Sequence, residues 1–167
     1  MESNMLEKNK RIALRGILVA LALILSYIES FIPVSSAVPG IKLGLANIVT
    51  IYALKRLGLK NTLIISLLRI LLSTILFGNL AMMVYSISGA LFSILIMSLV
   101  SRFDRVGTLG ISVAGAVSHN IAQCVVASIL LQNSSVFRYL PVLLISGVIA
   151  GIITGLVSGV VLDKVLD

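Results

Sequence analysis

From Ile17 to the C-terminus, long apolar stretches without charge follow one another, separated only by short basic or Gly- and Pro-bearing turns. Runs of this length belong in hydrocarbon rather than in water. Composition agrees: 59% of the 167 residues are hydrophobic and 11% are charged, against roughly a quarter charged in soluble domains. Thirteen Lys and Arg with six Asp and Glu cannot cover the water-facing surface of a globule this size. The chain therefore reads as an integral protein of a lipid bilayer. Barrel strands would alternate in polarity over ~10-residue segments, whereas these runs are continuous, so the fold class is all-α. Hydrophobicity excludes disorder, and a lone Cys124 excludes a disulfide scaffold. The net charge of +7 comes from residues clustered in turns, not from a binding stripe, so no nucleic-acid partner is expected.

Six spans are expected, in a single integral membrane domain covering 1–167: Ile12–Phe31, Lys42–Leu57, Asn61–Phe77, Leu80–Val100, Thr108–Leu131 and Leu140–Leu162. The first exceeds the ~7–15-residue apolar core of a cleaved signal peptide, and more spans follow it. The second and third lie near the lower limit of ~17 residues for crossing the hydrocarbon. Charge then sets topology. One side carries Lys8, Lys10, Arg11, Arg15, Lys55, Arg56, Lys60, Arg102, Arg105 and Lys164, and the other only Lys42 and Arg138. The basic side is cytoplasmic by the positive-inside rule, which puts both termini in the cytoplasm and the chain in the cell membrane.

Polar groups within the spans are the candidates for function, because each costs about 2.5–3.5 kcal/mol or more at the bilayer centre unless it is partnered. Glu29, near the outer end of the first span, is either a ligand contact or a rim partner of Lys42. Lys42 and Asn47 fall on the second span, and Lys42 can instead snorkel to the interface. Arg69 lies mid-span, where its fork of donors serves as a clamp on the bundle or as a bidentate grip on an anion. Asn79 stands near the outer boundary. On the fifth span His119, Asn120 and Gln123 share a face, and either line a pocket or bond neighbouring helices. The last span repeats a small residue every fourth position at Gly147, Gly151, Gly155 and Gly159. Such a ladder lets another backbone approach closely, in internal packing or in partner docking. A shorter pair, Gly16 and Ala20 with Ala13 beside them, marks the cytoplasmic half of the first span.

Catalysis finds little support. One His, one Cys and one acid away from the cytoplasmic side provide no matched nucleophile and base. Asp104, Asp163 and Asp167 are scattered, so no aspartate cluster is present to hold magnesium on a diphosphate, and no phosphate-cradling G-x-x-x-x-G-K-[ST] occurs. No metal or cofactor is expected, and the chain reads as a non-enzyme: a helical bundle with a polar pocket that draws its energy from elsewhere.

The segment Pro39-Gly40-Ile41-Lys42-Leu43-Gly44-Leu45-Ala46-Asn47, after an N-terminal span and a Pro-bearing loop, resembles the signature of the Gx transporter family. That family also carries the name heptaprenyl diphosphate synthase component I. Ser118-His119-Asn120 and the Gly-rich last span resemble it too. The family is similar to the S components of energy-coupling factor (ECF) transporters, which are six-helix membrane proteins. The resemblance implies a small solute bound near the outer face and association with a transmembrane coupling subunit and cytoplasmic ATPases. It also implies a docking motif on the first helix, best matched here by Ala13, Gly16 and Ala20. On this reading the solute contacts are Glu29, Lys42, Asn47, Arg69, Asn79, His119, Asn120 and Gln123. Three basic groups against one acid favour an anionic, vitamin-like or isoprenoid- or quinone-precursor-like solute. Two rivals stand beside it: a non-catalytic membrane accessory of polyprenyl diphosphate synthesis, and an autonomous secondary carrier.

Overall fold

The computed structural model describes residues 2–31 and 44–166. Their regular structure is helical: α1 (Glu2–Ser30), α2 (Leu45–Phe77), α3 (Leu80–Val100), α4 (Thr108–Leu130) and α5 (Leu140–Leu166), with a short 3-10 turn at Ser134–Tyr139. Five of these helices are long and apolar enough to cross a membrane. Large apolar side chains such as Ile17, Ile24, Ile75, Ile145 and Leu156 face outward from them, as expected where the surrounding medium is lipid.

The expected second and third spans form one element, α2, broken at Gly58. This residue has φ 77° and ψ 173°, a combination essentially reserved for glycine. The chain reverses there. On a straight helix Gly44 and Arg69 would be ~37 Å apart, yet the Glu29 carboxylate accepts a hydrogen bond from Gly44 N–H and attracts Arg69 as well. Val49 and Ala53 from one arm likewise share an apolar cluster with Ile65 from the other, against Leu18, Val19 and Ala22 of α1. The first arm, residues 45–57, provides about 20 Å of helix, less than the ~30 Å of a hydrocarbon core.

Among the described elements α1 packs against α2 alone, while α2 contacts each of α3, α4 and α5, and α4 packs between α3 and α5. The α4–α5 pair is the most extensively packed, and the glycine ladder explains why. A Cβ at Gly151 would stand 2.7 Å from Val113 Cα, and one at Gly155 would stand 2.9 Å from Leu109 Cα. The two backbones therefore meet directly. Between them the buried hydroxyls of Ser112 and Thr154 bond at 2.8 Å. Gly159, the last rung, has nothing near it.

The two ends of the bundle differ. Ile51, Leu54, Ile94, Met97, Ile111 and Leu162 form an apolar cluster toward the end that holds the Gly58 reversal and the 101–107 turn. Lys55, Arg56, Lys60, Arg102, Arg105 and Lys164 belong to this end, and Lys55 Nζ donates to Thr108 Oγ1 at 2.9 Å. At the other end Tyr27 packs edge-on against Phe31, with ring centroids 4.8 Å apart, and lies 5.5 Å from Phe77.

Candidate functional site

The half of the bundle away from the basic turns contains a hollow of about 50 Å³. Glu29 of α1, Asn47 and Arg69 from the two arms of α2, Ser86 of α3, His119 and Asn120 of α4 and Thr154 of α5 contribute its polar lining. Gly44, Ala46, Ala116, Gly147 and Ala150 complete it with small side chains. The reversal at Gly58 makes the hollow possible, because it returns Arg69 to the level of Asn47.

Arg69 is half-buried and held from the α1 side. Its Nη1 donates to Ser26 Oγ at 2.9 Å, and that hydroxyl donates to the Ala22 carbonyl at 2.9 Å. One turn further along α1, Glu29 accepts from the Gly44 N–H at 2.5 Å. Gly44 is the N-cap of α2, with φ 73° and ψ 30°, so the carboxylate occupies the positive end of that helix. The Arg69 Nε is shielded from solvent and has no hydrogen-bond partner among the described residues.

His119 enters the hollow from α4 with its imidazole against Gly89 of α3. A Cβ at Gly89 would lie 2.6 Å from the ring Cε1, so the ring occupies the volume that any other residue would fill. Asn120 is buried and donates through Nδ2 to the Leu143 carbonyl of α5 at 2.6 Å. It fastens α4 to α5 as well as lining the hollow.

Of the residues expected from the sequence, Glu29, Asn47, Arg69, His119 and Asn120 converge. Lys42 lies outside the described residues. Asn79 does not line the hollow: it is the exposed N-cap of α3, its side chain accepting from Met82 N–H at 2.8 Å. Gln123, three residues beyond Asn120, is half-buried and also stands apart from the lining. On α1, Ala13, Gly16 and Ala20 face outward, and a Cβ at Gly16 would touch nothing within 4 Å. Gly147 lines the hollow, while Gly151 and Gly155 bring α4 and α5 together.

Sequence reasoning missed Ser26, Ser86, Gly89 and Thr154. The run Ser86-x-Ser88-Gly89-Ala90-x-x-Ser93 was a usable signal, since clustered small residues mark close helix approach. Among the described residues no group of three or more His, Cys, Asp or Glu could hold a metal ion.

No curated protein and no solved structure matches the chain. The model of one family, described as heptaprenyl diphosphate synthase component I, matches residues 18–161. That stretch includes the whole described lining of the hollow and the α4–α5 ladder. Spanning most of the sequence, the match makes this chain a member of the heptaprenyl diphosphate synthase component I family.

Proposed function

We propose that the chain is the substrate-binding membrane subunit of an ECF-type, ATP-driven importer, with the hollow as its solute site and both termini in the cytoplasm. The convergence of Glu29, Asn47, Arg69, His119 and Asn120 on one hollow carries this reading. Placing a carboxylate, a guanidinium and an imidazole inside an apolar bundle is expensive, and helix association alone does not require it when Ser112 and Thr154 already bond across helices. The solute is small and polar, of the vitamin-like or isoprenoid- or quinone-precursor class that the resemblance implies. The hollow lies in the half opposite the basic turns, which is the outer half when those turns face the cytoplasm. Six membrane segments, counting each arm of α2, return the C-terminus to the side of the N-terminus. Ala13, Gly16 and Ala20, on the outward side of a helix that among the described elements packs on α2 alone, are the docking face for the coupling subunit. The cytoplasmic ATPases supply the energy.

A second reading takes its start from the words of the family description: a non-catalytic membrane accessory of heptaprenyl diphosphate synthesis. Purification of the tagged chain from native membranes separates the two. Co-elution with ATPase subunits supports import. Co-elution with a soluble prenyl-chain synthase, without ATPases, supports the accessory role and overturns the transport reading.

A further inference from the structure

We infer that the solute presents an N–H or O–H to Asn120 Oδ1, so that the hollow takes a hydrogen-bond donor and refuses an acceptor-only molecule of the same shape. The inference rests on the reading of the hollow as a solute site and adds the chemical class of its occupant. The orientation of one amide carries it. Asn120 Nδ2 lies 2.6 Å from the Leu143 carbonyl oxygen of α5. A carbonyl only accepts, so the atom facing it is the NH2 group and the atom turned away is Oδ1. Reversing the amide would set two oxygens against each other at that distance. A Cβ at Gly147 would stand 2.8 Å from Nδ2, so α5 supplies both the acceptor and the room for this orientation. Oδ1 accepts no hydrogen bond from the described residues, yet it is not one of their shielded atoms without a partner. The open space beside Asn120 is the hollow that it lines.

The neighbouring uncharged groups impose no such demand. The side chains of Asn47 and Ser86 make no hydrogen bond with the described residues, and each can turn to donate or to accept. Thr154 Oγ1 is already engaged, with Ser112 Oγ and with the Ala150 carbonyl, both at 2.8 Å. Asn120 is different because its donor is committed to α5 and its acceptor is left over. An occupant that displaces water from Oδ1 without offering a hydrogen leaves that oxygen desolvated and unpaired, which costs affinity.

Acetamide and acetone match in heavy-atom count and lack of charge, and acetamide alone carries N–H donors. The full-length protein in lipid nanodiscs is titrated with each. The readouts are the side-chain carbonyl carbon resonances of Asn120 and Asn47, since such a carbon responds when its oxygen accepts a hydrogen bond. Asn120 is the Asn that follows His and Asn47 the Asn that follows Ala, so selective labelling of those residue pairs assigns both in the wild-type chain. Acetamide is expected to shift the Asn120 resonance, with an affinity about tenfold or more above that of acetone. A smaller preference, or acetamide binding that moves Asn47 and leaves Asn120 unmoved, overturns the donor assignment while leaving a solute site in place. Silence of both resonances to both probes overturns the solute site itself.

Discussion

The imidazole of His119 rests against the bare backbone of Gly89, so close that a Cβ there would be 2.6 Å from Cε1. One helix carries the ring and the next helix vacates the space for it. Gly89→Ala is therefore expected to displace the ring from the hollow and destabilise the protein by ~1–3 kcal/mol, as overpacking does. Thermal unfolding of the single variant, of His119→Ala and of the double variant measures the coupling. If the contact is as described, the double variant loses less stability than the two singles added together.

The four glycines of α5 are not equivalent. Alanine at Gly151 or Gly155 would press on the α4 backbone at Val113 or Leu109, at 2.7 and 2.9 Å. Backbone yields less than a flexible side chain, so each change is expected to cost ~1–3 kcal/mol. Gly159 has nothing within 4 Å, and Gly159→Ala is expected to stay within about ±0.5 kcal/mol. Chemical or thermal unfolding in detergent ranks the three.

At Gly58 the obstacle is the backbone. With φ 77° and ψ 173°, any side chain there is strained, and Gly58→Ala is expected to cost ~1–3 kcal/mol. Because the reversal brings Arg69 level with Asn47, the same variant is expected to weaken solute or probe binding. A variant that unfolds at the wild-type temperature and binds normally would contradict the role given to this residue.

The outer face of α1 offers a change that ought to spare the fold. Gly16 has open space around it, so Gly16→Leu is expected to alter stability by no more than about 0.5 kcal/mol. Under the transport reading the same variant loses co-purification with the coupling subunit. Retention of that partner would show that docking occurs elsewhere.

The helices were legible in the sequence because lipid leaves few alternatives to a continuous apolar run. The break near Gly58 was legible too, since Lys55, Arg56 and Lys60 mark a turn that does not belong in hydrocarbon. Arg69 and His119 were legible as candidates by their cost in a membrane. What each one faces was not. Apolar residues cover every side of these helices, so periodicity carries no rotation, and nothing in α4 alone points His119 at Gly89 or Asn120 at the Leu143 carbonyl. Asn79 carried a second signal: Asn directly after Gly78 marks a helix start, and the structure uses it as the N-cap of α3, apart from the lining of the hollow. Ser26 was passed over because a serine in a span costs little, yet it orients Arg69.

The most direct measurement is the small-molecule content of the protein as it leaves native membranes. Ser86→Leu fills the hollow without removing the Arg69–Ser26 bond, so it serves as the matched control. The account predicts that wild-type protein releases a small polar compound on denaturation, that Ser86→Leu does not, and that both co-elute with ATPase subunits. The same compound released in equal amount from both proteins, or none from either, would contradict it.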